Sequence, residues 1–136
     1  MRIAGYIITF VAMLQIGCNS SPTAPLDKVT TVYGRLAGLV RIGPNCPVER
    51  ADNPCPTPPS AYALRKILVF DEQRTQLLHT VDIDNQGLYS IDLSPAKYLI
   101  DLKGAGVDRA DVLPKVVEIH ANTVTNLDVT IDTGLR

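Results

Sequence analysis

Two of the three cysteines lie close together, Cys46 and Cys55, in "GPNCPVERADNPCP" (residues 43 to 56). Paired thiols at short spacing serve as metal ligands, as a redox couple, as reactive nucleophiles or as a disulfide staple. A structural zinc site takes four Cys or His ligands, and this stretch has two. A redox pair needs the tighter C-x-x-C spacing, which is absent. His79 and His120 are the only histidines, and neither has H-x-x-x-H or Cys/His spacing. Both are expected at surface or edge positions. "DIDNQG" (Asp82 to Gly87) opens like a calcium loop, but the twelfth position is Leu93 where a bidentate Glu is needed. It reads instead as a hairpin turn, with Asp and Asn accepting backbone bonds and Gly87 allowing positive φ. No G-x-S-x-G elbow marks a nucleophilic serine. No metal, cofactor or catalytic set is expected, and the chain reads as a non-enzyme.

Polar loops are the remaining chemistry. "KGAGVDRAD" (Lys103 to Asp111) is a Gly-containing loop without a following helix pattern, so phosphate binding is a weak reading. Recognition residues concentrate on loops held by a rigid scaffold. Asp108, Arg109 and Asp111 are therefore candidate contacts, as are Glu49, Arg50 and Asp52 within the cysteine loop. The formal net charge is −1 with both signs scattered, which argues against nucleic acid.

The compartment decides the cysteines. "MRIAGYIITFVAMLQIGCNS" has a positive Arg2, an apolar run from Ile3 to Ile16 and a small Gly17 before Cys18, the layout of a secretory signal peptide. At roughly fifteen residues the run is shorter than the ~20 needed to span a bilayer. "LQIGC" resembles the lipobox of bacterial lipoproteins, although Gln15 stands where an aliphatic residue is usual. The resemblance implies cleavage before Cys18 and acylation of that residue, with each buried CH₂ contributing about 0.8 kcal/mol to membrane attachment. It also implies an exported, membrane-anchored protein. Asn19 replaces the retention Asp, which favours the outer membrane or cell surface over the inner membrane. The expected division is residues 1–17 as signal peptide, 18–28 as a flexible Ser/Pro-rich tether and 29–136 as one domain. Export places Cys46 and Cys55 in an oxidising compartment, and committing Cys18 to lipid leaves them as an even pair. They are expected to form a disulfide.

The elements that hold these loops are short alternating runs without helical periodicity, hence strands. Seven are expected, at Val32–Gly43, Leu64–Phe70, Gln76–Ile83, Leu88–Leu93, Lys97–Lys103, Lys115–His120 and Thr123–Asp132. Their close spacing predicts an all-β sandwich of Ig-like or transthyretin-like type. Tyr89, Ile91 and Leu93, then Tyr98, Ile100 and Leu102, then Leu127, Val129 and Ile131 are the expected inward sets.

The stretches "GLVRIGPNCP", "YALRKILVFD", "TVDIDNQGLYSIDLSPAKYLIDL" and "VVEIHANTVTNLDVTID" resemble a carboxypeptidase regulatory-like domain. Ala96 stands where that family usually has Gly, and Ala121–Asn122 replace Gly in the late turn. The resemblance implies a transthyretin-like sandwich and no peptidase activity. The expected function is a non-catalytic, lipid-anchored cell-envelope module with a structural, adhesion or accessory protein-binding role. A small-ligand or glycan-binding lipoprotein is the alternative, which an exposed Tyr33–Tyr62 pair would favour. The expected partners are the membrane, through the lipid, and another envelope protein or a glycan.

Overall fold

The computed structural model describes residues 31–48 and 50–135, so Cys18, Glu49 and the segments expected as signal peptide and tether lie outside the described residues. The domain is a two-sheet β-sandwich. Strands β1 (Gly34–Gly43), β4 (Leu88–Leu93), β6 (Arg109–Ala110), β8 (Val124–Asn126) and β9 (Val129–Asp132) build one sheet. Strands β2 (Lys66–Asp71), β3 (Leu77–Asp82), β5 (Ala96–Lys103) and β7 (Lys115–Ile119) build the other. The orders are β4-β1-β9-β6 and β3-β2-β5-β7, with β8 also paired to β1.

The alternation places the core. Leu36, Val40, Ile67, Val69, Ile100, Val129 and Ile131 are fully buried. The closing set Leu127, Val129 and Ile131 is buried as expected, while Ile91 and Leu102 are only partly covered. Ile91 lies on β4, the last strand of its sheet, where covering is thinner. Nine aliphatic side chains under 2% exposed form the centre, and Tyr89 and Tyr98 close it with their hydroxyls on backbone carbonyls. Tyr89 donates to Leu127 O at 2.6 Å and Tyr98 to Ser94 O at 2.9 Å, satisfying polar groups that burial would otherwise penalise.

Among the described residues nine strands form where seven were expected, and one reason is steric. β1 and β8 are parallel in the register Arg35↔Val124 to Ala37↔Asn126, and the pairing resumes as Val40↔Val129. Between them Leu127 N–H reaches back to Ala37 O, and the Asp128 carboxylate accepts Leu39 N–H at 2.9 Å. A Cβ on Gly38 would lie 2.0 Å from Leu127 O, so only glycine admits this offset. The expected single closing strand is therefore divided in two. β6 is a two-residue pairing, Arg109↔Asp132 and Ala110↔Ile131, within the expected loop.

A five-residue helix, α1 (Pro59–Ala63), precedes β2 and was not expected. Pro59 at its first position suits the fixed proline φ. The turns follow the sequence more closely. Asp84 Oδ1 accepts Gln86 and Leu88 N–H, both at 2.8 Å, and Gly87 has φ +86. The turn expected in "DIDNQG" therefore forms, but it is not a hairpin: it carries the chain from β3 in one sheet to β4 in the other, and those two strands do not pair. Asn122, with φ 57, takes up the left-handed conformation in the turn after β7.

Candidate recognition surface

The candidate loop residues gather toward one pole of the sandwich. β1 enters from Tyr33, whose carbonyl accepts Asn122 N–H, and runs to Gly43 at the opposite end. Ten residues at ~3.3 Å each carry the chain about 30 Å between the poles. At the far end β1 opens into the cysteine loop. Cys46 and Cys55 are disulfide-bonded, with Cα atoms 6.2 Å apart. Asn45 pins both arms of the loop: its Nδ2 donates to Ile42 O at 2.9 Å, Cys55 O at 3.2 Å and Thr57 Oγ1 at 2.9 Å. Arg50 and Asp52 are exposed on the ring, and the Arg50 carbonyl accepts Asn53 N–H at 3.1 Å. Val48, 74% exposed, stands beside them.

The β5–β6 loop reaches the same pole through a contact that sequence reading missed. Arg65, between α1 and β2, forms a bidentate pair with Asp108. Nε to Oδ2 is 2.6 Å and Nη2 to Oδ1 is 2.8 Å. The two side chains are 8% and 2% exposed. Nη1 of Arg65 also donates to Ala61 O at 2.7 Å, and Ala105 N–H donates to Asp108 Oδ2 at 2.7 Å. The pair ties α1, β2 and the β5–β6 loop into one unit. Desolvation pushes the Asp108 carboxyl up. The hydrogen bonds from Arg65 and Ala105, with the Arg65 charge, outweigh it and hold the carboxyl below its ordinary value. Asp108 was expected as a partner contact. Its carboxylate instead faces inward and fixes the loop, because a buried guanidinium needs a charged partner.

Arg109 and Asp111 remain on the surface. Asp111 accepts Thr130 N–H at 3.0 Å, which stations it beside β9. The C-terminal segment docks here too: Thr133 N–H donates to Gly43 O at 3.1 Å and its hydroxyl to Pro44 O at 2.6 Å. Val107, 73% exposed, packs near Gly134. The pole therefore presents Val48, Leu64, Val107 and Leu135 as exposed apolar side chains among Arg50, Asp52, Arg109 and Asp111.

The other candidates fall elsewhere. His79 and His120 are exposed, on β3 and just after β7. Tyr33 is half exposed, but Tyr62 is buried at 9% and faces Gly87, so no exposed Tyr33–Tyr62 pair exists. Among the described residues no group of three or more His, Cys, Asp or Glu side chains is arranged to hold a metal ion.

The architecture defines an all-β, two-sheet sandwich with a disulfide-closed loop at one pole. No family model matches the sequence, and no curated protein matches it. Solved structures do. One is GBS52, the minor pilin of Streptococcus agalactiae, at 12% identity and TM-score 0.50, covering 74% of this chain and 44% of that one. A second is the Bacillus anthracis TIE protein, at 12% identity and TM-score 0.49, covering 74% of this chain and 16% of that one. A third is a DUF3823 family protein from Parabacteroides merdae ATCC 43184, at 12% identity and TM-score 0.44, covering 74% and 46%. The chain thus spans less than half the length of each. At such identity the likeness concerns the fold alone.

Proposed function

We propose that this protein is a non-catalytic cell-envelope module, lipid-anchored through Cys18, that engages a protein partner with the pole bearing its disulfide loop. The observation that carries this reading is the separation of the two poles. The chain enters the domain at Tyr33, while the disulfide ring, the β5–β6 loop and the C-terminal segment converge at the other end of β1. A tether from an acylated Cys18 would leave the membrane-proximal pole and direct the loops outward. Those loops are held by a disulfide, the Asn45 hydrogen bonds and a buried ion pair. Binding by such a surface loses little ordering entropy. The resemblance to carboxypeptidase regulatory-like domains, which accompany other domains without catalysing, points the same way.

A photo-crosslinking residue at Val48 or Val107 tests this in intact envelopes. The expected result is one discrete protein adduct from either position and none from Asn122 at the opposite pole. Equal or absent labelling from the two poles refutes the assignment.

A further inference from the structure

A second surface lies apart from the loop pole, on the outer face of β1 and β4. Residues facing away from the core there are Arg35, Ala37 and Leu39 on β1 and Leu88 and Ser90 on β4, paired as Ala37↔Ser90 and Leu39↔Leu88. Small side chains at Ala37 and Ser90 leave the middle of this face low. Asn126 and Asp128 rise on one side, where β8 breaks into β9, and Asp82 to Asp84 rise on the other, where the chain crosses between sheets. The result is an open trough of about 750 Å³. From Arg35 to Leu39 it runs four strand steps, about 13 Å, which matches four extended residues. A single chain lying along the strands fits that shape better than a compact ligand.

The charge of the lining selects the occupant. Three aspartates, Asp82, Asp84 and Asp128, face one arginine. Arg35 is already committed, with Nε on Asp92 Oδ1 at 2.7 Å and Nη2 on Oδ2 at 3.0 Å. Lys66 pairs with Asp82 and Arg41 stands 3.7 Å from Asp128, both from outside the trough. Asp84 has no ion pair among the described residues; its Oδ1 takes two backbone N–H groups. The floor is apolar, with Leu88 49% exposed. An apolar floor with an uncompensated carboxylate on its rim complements a cation carried on an apolar strand.

We propose that this trough docks an extended polypeptide segment of a partner protein, with a lysine or arginine set between small apolar residues. The basic side chain lies over Asp84, and the apolar neighbours cover Leu88, Leu39 and Ala37.

The test uses the full chain in neutral detergent and a fluorescent decapeptide alternating lysine with alanine and valine. Fluorescence anisotropy is expected to show saturable binding that weakens as salt is raised from 50 to 300 mM. The same peptide with glutamate for lysine is expected to bind at least tenfold more weakly. Leu88→Lys and Ser90→Tyr, both at outward positions, are expected to weaken binding at least tenfold with an unchanged melting temperature. One places a charge on the floor, and the other fills the trough without charge. Equal binding of the two peptides overturns the proposal, as does undiminished binding by the two variants. A self-association lost in Leu88→Lys would assign the trough to a second copy of this chain and overturn it as well. Loop-pole variants such as Val48→Asp are expected to leave peptide binding intact, which separates this site from the partner surface proposed above.

Discussion

Truncating Asp108 tests the central packing contact of the loop pole. Asp108→Ala leaves the Arg65 guanidinium, 8% exposed, without its carboxylate and leaves Ala105 N–H without its acceptor. Removing one partner of a buried ion pair costs about 3–5 kcal/mol, because the remaining charge stays in a poorly solvated site. A domain of this size has about 5–15 kcal/mol in total, so the variant folds with a narrow margin. With a urea m-value of about 2 kcal/mol/M, the midpoint is expected to fall by about 2 M. Replacing both partners, Arg65→Met with Asp108→Leu, is expected to restore most of the loss, since apolar substitutes avoid the desolvation penalty. Acid acts on the same contact. The folded Asp108 carboxyl titrates below its unfolded value of about 3.9, so the pair contributes fully above that pH. The contribution is lost as pH falls below about 4 through the folded value. Urea unfolding at pH 7 and pH 3 should therefore show a smaller gap between wild type and Asp108→Ala at the lower pH. A loss under about 1 kcal/mol at pH 7, or a gap that grows in acid, refutes the reasoning.

Three further outcomes follow from the structure. Gly38→Ala would place a Cβ 2.0 Å from Leu127 O, so thermal unfolding is expected to register a loss of about 1–3 kcal/mol; an unchanged melting temperature contradicts the β8–β9 offset. Cys46→Ser with Cys55→Ser is expected to destabilise by about 2–3 kcal/mol through loss of a ten-residue ring, and peptide mapping of exported protein should place one bond between these residues. Incubation with a chelator should leave the melting temperature unchanged, and a large drop would revive a metal role for "DIDNQG".

Alternation over several residues was readable wherever a strand has a fully covered inner face. Leu127, Val129 and Ile131 occupy the positions their period assigned. Edge strands obey the period less well, because their inner faces are only partly roofed. On β3, His79 shares the side of Val81 yet stands exposed, and a register shift opposite Val69 and Phe70 breaks the period so that Leu77 pairs with Phe70 on the other face. α1 and β6 span five and two residues, too few to build a periodic signal. The most consequential contact at the loop pole joins Arg65 to Asp108 across 43 positions, and a single sequence has no local mark for such a pair. Reading Asp108, Arg109 and Asp111 as equivalent polar loop residues was therefore natural. One anchors the loop, and the other two face solvent. The turns were legible because their chemistry is local, as with Asp84 and Gly87. The cysteine pair was legible as a disulfide once export was expected.

The proposed attachment through Cys18 is tested most directly by the mass of the protein extracted from cell membranes. The predicted species begins at Cys18, carries covalent acyl chains on that residue and retains the Cys46–Cys55 bond. Metabolic labelling with a fatty-acid analogue should mark it and leave Cys18→Ser unmarked. A chain that retains residues 1–17, or one that begins at Cys18 without lipid, contradicts the account.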